Sequence, residues 1–233
     1  MADPLVIFFD AVGTLIHPSP NVEETYAQLG RRRGSRLSPA AIGPRFCAAF
    51  RDQEEWDRVH GYRTDEERER ERWRSIVATV FDDVQDTTQL FEDLWEFFAQ
   101  PAAWAGYHDV ARCLEWLDGH GIAWGIASNY DRRLGSVAAG MPLLRSCRYL
   151  AISSEIGWRK PAREFFMALP AIAGLPLNRL LLVGNDEVND VRGGQAAGLT
   201  AILLDRQPRP GKPLALSTLA DLPNWLKELG AIQ

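Results

Sequence analysis

Leu5-Val6-Ile7-Phe8-Phe9 is an unbroken apolar run of β-branched and aromatic residues, stopped by Asp10. Such a run suits a strand covered on both faces in a parallel sheet. Four later segments repeat the pattern: Ala123 to Ala127, Tyr149 to Ile152, Leu180 to Val183 and Ala201 to Leu204. Between them the period lengthens. Val110, Cys113, Leu114 and Leu117 fall at i, i+3, i+4 and i+7 and line one helix face. Strands alternating with helices predict an α/β fold, a Rossmann-like parallel sheet with right-handed crossovers.

The stretch from His17 to Gln100 has a different rhythm, helical and without a convincing strand. Thr64 followed by Glu67 reads as a capping box, opening a helix with Trp73, Ile76, Val77 and Val80 on one face. The run Glu66 to Arg74, with pairs such as Glu66–Arg70 at i, i+4, reads as a solvated face. Leu90, Leu94, Phe97 and Phe98 mark another helix, ended by Pro101. The pattern therefore divides the chain into a core, residues 1–16 and 101–233, and an all-helical cap domain inserted at 17–100. The segment Pro208-Arg209-Pro210-Gly211-Lys212-Pro213 reads as a surface loop.

At 233 residues and 46% hydrophobic the chain can bury a core without disulfides or metal. A net charge of −5 argues against a nucleic-acid surface. Cys47, Cys113 and Cys147 form no CxxC pair and read as reduced, buried thiols. The start, Met1-Ala2-Asp3-Pro4, lacks a basic, cleavable leader pattern, and no apolar stretch reaches membrane-spanning length. The expectation is a soluble cytoplasmic protein acting on a small molecule, with no membrane or nucleic-acid partner and no specified oligomeric state.

In an open parallel sheet, ligands bind beyond the carboxyl ends of the strands. The residues at those ends are Asp10-Ala11-Val12-Gly13-Thr14, Ser128-Asn129, Lys160-Pro161 opening a helix, and Gly184-Asn185-Asp186-Glu187-Val188-Asn189-Asp190. Taken singly, each has a bland reading: Asp10 and Gly13 as turn residues, Ser128, Asn129, Asn189 or Asp190 as helix caps, Lys160 as a surface lysine. Together, in this order, they resemble the four motifs of the haloacid dehalogenase-like (HAD) hydrolase superfamily, and the resemblance spans essentially the whole chain. The helical insertion is similar to the cap common there, and Gly193 to Leu199 is similar to the segment after the fourth motif.

The resemblance implies that Asp10 attacks the substrate and forms a covalent aspartyl intermediate. It implies that Ser128, Asn129 and Lys160 hold the transferring group and that Thr14 supports the Asp10 loop. Asp10, the Val12 carbonyl, Asn185 or Asp186, and Asp190 would hold Mg²⁺ through oxygen ligands.

Two positions depart from the pattern. HAD phosphatases carry a second aspartate two residues after the nucleophile, as proton donor and then base; here it is Val12. The usual glycine–aspartate pair of the fourth motif reads Gly184-Asn185. The favoured reading is a phosphatase-type hydrolase that transfers phosphoryl from a donor whose leaving group needs no proton; the alternatives are 2-haloacid dehalogenation, with Arg51 or Arg58 gripping halide, and a non-catalytic binding protein. Arg31, Arg32, Arg33 and Arg36 read as solvated surface, the four histidines as scattered, and the Trp and Phe of the insertion as core.

Overall fold

The computed structural model describes residues 5–207 and 215–228, so the proline-rich segment 208–213 lies outside the described residues. In chain order the strands are β1 Val6–Phe9, β2 Ile16–Pro18, β3 Trp104–Gly106, β4 Ala123–Ser128, β5 Tyr149–Ile152, β6 Leu180–Gly184 and β7 Thr200–Leu203. The five apolar runs form one parallel sheet in the order β5-β4-β1-β6-β7. β1 is central because every residue in it is apolar: all four are buried to 2% exposure or less. Ile7 and Phe9 enter the core on one face, Val6 and Phe8 the core on the other. Burial of each such side chain contributes about 1.5–3 kcal/mol.

The helices are α1 Val22–Arg32, α2 Pro39–Val59, α3 Glu66–Val80, α4 Thr88–Phe97, α5 Val110–Gly119, α6 Arg133–Gly140, α7 Ser153–Ile156, α8 Arg163–Ala173, α9 Gly193–Ala197 and α10 Leu222–Glu228. The α5 face read from the sequence is the buried one, with Val110, Cys113, Leu114 and Leu117 all within 2% exposure. Gly125 keeps β4 flat against its neighbour, since a Cβ there would stand 2.6 Å from the Tyr149 carbonyl oxygen. The chain runs from β1 outward through β4 and β5, then crosses to β6 and β7 on the other side. The carboxyl end of β1 therefore sits where the strand order reverses.

Helices α1 to α4 form the insertion, with a core of their own that includes Tyr26, Ile76, Phe81, Leu90 and Phe91. The insertion leaves and rejoins the sheet through a two-stranded antiparallel stem, β2 with β3, in the register Ile16↔Gly106 to Pro18↔Trp104. The sequence reading placed no strand at this junction, because three residues are too few to show a period.

The α3 reading needs two corrections. Its N-cap is Asp65, whose carboxylate accepts from Arg68 N at 2.8 Å, not Thr64. Thr64 is one residue too early: its N–H donates to Gly157 O and its hydroxyl to the Glu69 carboxylate. The charged run 66–74 is also not simply a solvated face. Glu69 and Arg72 are each 1% exposed, and Arg70 pairs with Glu92 instead of Glu66. Cys113 is buried and Cys147 partly so, but Cys47 is exposed, so the expectation of three buried thiols fails there; all three are free. Among the described residues no helix is long and apolar enough to cross a membrane.

A second attachment ties the insertion to the sheet. The loop between α2 and α3 pairs with the segment leading into Lys160: Thr64 N donates to Gly157 O (3.1 Å) and Arg159 N to Tyr62 O (2.8 Å). Side chains reinforce it. Arg159 and Arg72, 4% and 1% exposed, share the carboxylates of Glu54 and Asp57, and Arg159 also takes Glu69. Burial favours the neutral form of Glu69, yet Arg159 and Arg72 outweigh it and hold its carboxyl below the ordinary range.

Candidate active site

Asp10 leaves β1 with its N–H donating to Val183 O at 2.9 Å, which continues the β1–β6 ladder by one bond and fixes the side chain at the strand end. The following turn is tight. Gly13 has φ +93, and a Cβ there would come within 2.6 Å of the Asn185 side chain. Thr14, fully buried, donates its hydroxyl to Asn185 Oδ1 at 3.0 Å and so joins this turn to the loop after β6.

Lys160 is the centre of the site. It is 2% exposed, and its ammonium donates to Asp10 Oδ1 (2.7 Å), Asp190 Oδ1 (2.5 Å) and Ala127 O (2.7 Å), filling its three donor positions. Burial alone would lower its pKa, but Asp10 and Asp190 overcome that and raise it. Asp190 is 1% exposed and is pushed up to about 6: burial is the main cause, Lys160 opposes it, and the Asp10 charge adds to it. Ser128 donates to Asp10 Oδ1 at 3.2 Å. Both of these bonds fall on Oδ1. Among the described residues, Asp10 Oδ2 accepts no hydrogen bond.

The structure thus brings together Asp10, Ser128, Lys160 and Asp190, and Asn129 and Asp186 line the same cavity while carrying backbone contacts. Asn129 spends both ends of its amide on the Lys160 backbone, accepting from Lys160 N (2.7 Å) and donating to Lys160 O (2.9 Å). It holds the lysine's main chain in place at the cavity edge. Asp186 caps the π-type turn Glu187–Arg192: Oδ1 accepts from Val188 N and Asn189 N, both at 2.8 Å, and Oδ2 from Asn189 Nδ2 at 2.9 Å. Asp186 thus shapes this turn while also lining the cavity.

The oxygen donors a Mg²⁺ ion would use are only partly in place: Asp10 Oδ2 accepts no hydrogen bond among the described residues, and Mg²⁺ is held by one or two carboxylates with waters. Asn185 brings no charge and already accepts from Thr14. Asp190 accepts from Lys160 on one oxygen and from Asp186 N on the other. Among the described residues no group of three or more His, Cys, Asp and Glu side chains could hold a metal. The cation that neutralises Asp10 and Asp190 in this geometry is Lys160 itself.

Above these residues lies a cavity of about 420 Å³, between the strand ends and the insertion and partly open to solvent. Asp10, Val12, Ser128 and Lys160 line its floor; Phe46, Phe50, Trp73 and Trp95 line its helical side. These aromatics, read from the sequence as core, do both jobs, packing against the helical core while lining the cavity. Arg51 and Arg58 do not line it. Arg51 is exposed, and Arg58 points outward with Glu55 on its own helix. The arginines that do are Arg72, Arg133 and Arg159.

Sequence reasoning also missed Arg206. Its guanidinium donates to Gly13 O (3.0 Å) and Thr14 O (2.9 Å), and it is held by Asp109 at 2.8 Å and stacked over Tyr107 at 4.0 Å. It clamps the turn that follows Asp10 from almost two hundred residues away, and an isolated arginine after β7 carries no local signal of that role.

Comparison with known proteins gives the family and the fold. A family model described as haloacid dehalogenase-like hydrolase matches residues 5–198. The chain is 24% identical over 208 residues to the human haloacid dehalogenase-like hydrolase domain-containing protein 3, covering 85% of this chain and 81% of that protein. Three solved structures share the fold. L-2-haloacid dehalogenase from Xanthobacter autotrophicus, with chloropropionic acid covalently bound, has TM-score 0.73 at 15% identity and covers 97% of this chain and 99% of that one. The magnesium-bound HAD-hydrolase YfnB from Bacillus subtilis has TM-score 0.75 at 16% identity, covering 97% and 100%. HAD phosphatase from Thermococcus onnurineus has TM-score 0.67 at 21% identity, covering 98% and 99%.

Proposed function

This chain belongs to the haloacid dehalogenase-like hydrolases, and on that premise we propose that Asp10 carries out a nucleophilic displacement at carbon, expelling a halide that needs no proton. In this reading residues 1–16 and 101–233 are the catalytic core, and the helical insertion, 17–100, is a cap that excludes water from the covalent step. The observation that carries it is Val12, 36% exposed on the cavity wall beside Asp10. A valine can neither protonate an alkoxide nor activate water, whereas general acid–base catalysis is worth about 10²–10⁴-fold where a leaving group requires it.

Charge supports the same choice. Asp10 and Asp190 with Lys160 leave one net negative charge at neutral pH, and the wall arginines are already paired. An uncharged carbon centre meets no barrier there, while a phosphate dianion would be repelled. Asp10 Oδ2 attacks, Lys160 and Ser128 orient the carboxylate through Oδ1, and halide departs with its electron pair. Water then opens the ester at the Asp10 carbonyl carbon, and Asp190 accepts its proton. A second reading, phosphoryl transfer from an acyl phosphate, is kept because Oδ2 would also attack phosphorus, with Lys160 beside it to offset part of the donor's charge.

The test is product release from 2-chloropropionate, an uncharged alkyl chloride and acetyl phosphate, each with EDTA or with added Mg²⁺. Chelator-insensitive chloride release supports the proposal. Mg²⁺-dependent phosphate release alone would replace it with the second reading, and no release from any donor would leave a binding protein.

The Asp190 assignment predicts a pH profile. A base works when deprotonated, so turnover should rise tenfold per pH unit below about 6 and level off above it. The stability sign is opposite. The folded pKa lies above the unfolded value of 3.8, so Asp190 favours folding most below pH 3.8 and loses that contribution as pH rises through about 6. A turnover profile flat from pH 5 to 8 would remove Asp190 from the chemistry.

A further inference from the structure

The cavity is larger than attack on a two- or three-carbon acid requires. Its volume, about 420 Å³, falls within the roughly 300–1,000 Å³ of sites that enclose drug-sized ligands. Its walls are aromatic, and Phe46, Phe50, Trp73, Trp95 and Phe98 line it while only partly buried. Phe46, Phe50 and Trp73 pack on one another, and the parts of these rings that stay exposed can take a flat ring by offset or edge-on stacking.

Its cations are committed. Arg72 is paired with Glu54 and Asp57, Arg159 with Glu54, Asp57 and Glu69, and Lys160 with Asp10 and Asp190. Arg133 is paired with Asp131, and its guanidinium lies 3.3 Å over the Trp95 ring. Among the described lining residues no positive side chain remains to hold a carboxylate or phosphate on the body of a substrate. Where phosphatases place a carboxylate, Val12 extends the apolar wall down to Asp10.

We propose that the cavity takes a substrate with an uncharged aromatic body, joined through a short saturated carbon to the halide: a benzylic or arylethyl halide, not a small haloacid. This rests on the displacement reading above. The Asp10 Oδ2–carbon bond forms as the carbon–halogen bond breaks and halide leaves with the electron pair. Water then cleaves the aspartyl ester at its carbonyl carbon, giving the aryl alcohol, the restored carboxylate and one proton.

The product class supplies the probe. Binding of benzyl alcohol and 2-phenylethanol to the Asp10→Asn protein, which cannot turn over, is compared with binding of lactate and 1-propanol, read by tryptophan fluorescence and saturation-transfer NMR. The aryl alcohols are expected to bind at least about tenfold tighter than either small alcohol. Trp73→Leu should weaken aryl binding about tenfold, whereas Trp116→Leu, away from the cavity, should leave it unchanged. Val12→Asp, at a position exposed enough to accept a carboxylate without unfolding, should weaken it to a similar degree. Lactate binding as tightly as benzyl alcohol, no binding by any probe, or indifference to Val12→Asp would each overturn the proposal. Chloride release from benzyl chloride by the wild-type protein is read separately: tight aryl binding without release keeps the aromatic class and rejects the displacement reading.

Discussion

Lys160→Met is expected to destabilise the fold by about 3–5 kcal/mol near neutral pH, the cost of removing one partner from a buried ion cluster. Methionine has nearly the length of the lysine stem, so the loss is one of charge and hydrogen bonds more than of packing. The Asp10 and Asp190 carboxylates, 8% and 1% exposed, then lose their common cation, and Ala127 O loses its donor. The deficit should depend on pH in a defined direction. Burial and the Asp10 charge already hold the Asp190 carboxyl up at about 6 against the pull of Lys160. Without the lysine, one of the two acids takes up a proton at higher pH still, so the variant recovers part of its deficit as pH falls from 7.5 to 5. Urea denaturation of both proteins at the two pH values measures this. A deficit below about 1 kcal/mol at pH 7.5 would mean that the cluster is far better solvated than its burial implies.

Asp10→Asn should lower turnover on the order of 10⁴- to 10⁶-fold, as removal of a covalent nucleophile does. Its effect on stability should stay within about 1 kcal/mol, because an amide oxygen can still accept from Ser128 and Lys160 while one of two adjacent carboxylates is gone. The variant should also lower the Asp190 pKa, since the Asp10 charge is one cause of its elevation. The covalent step has a more direct readout. A single turnover of wild type in H₂¹⁸O should place the label in the Asp10 carboxylate before it reaches the alcohol product. Label found first in the product would mean direct attack by water and would end the nucleophile assignment. Label found in neither would support the non-catalytic reading.

The sheet was legible because a parallel sheet covered on both faces leaves continuous apolar runs. The ends of those runs pointed to Asp10, Ser128 and Lys160 before any coordinates. What remained hidden follows from the physics of the missing parts. Arg159 and Glu69 meet across ninety residues, and Arg206 reaches the Gly13 turn across almost two hundred. Such pairs have no period and no local composition. Glu69 and Arg72 were read as solvated because a helix rich in both charges usually is; here a second charged segment packs onto it. The backbone contacts of Asn129 and Asp186 had no local signal either, since they depend on how the loops close. The Trp and Phe side chains illustrate the limit of a two-way choice, since one ring can face a core on one side and a cavity on the other.

The pairing of Tyr62–Thr64 with Gly157–Arg159 bears on how a reactant gets in. A lid hung only on the β2–β3 stem could swing about it, but this one is fastened at a second edge, so it is better pictured as an arch standing on two feet. Entry and exit would then pass beneath the arch, through side-chain rearrangement at its open flanks, with the helices staying in place. Full opening would require unzipping the Thr64 and Arg159 backbone bonds, while Asn129 keeps its own hold on the Lys160 main chain. Deuterium uptake at Thr64 and Arg159 should be slow and should speed up together, as a single gate would.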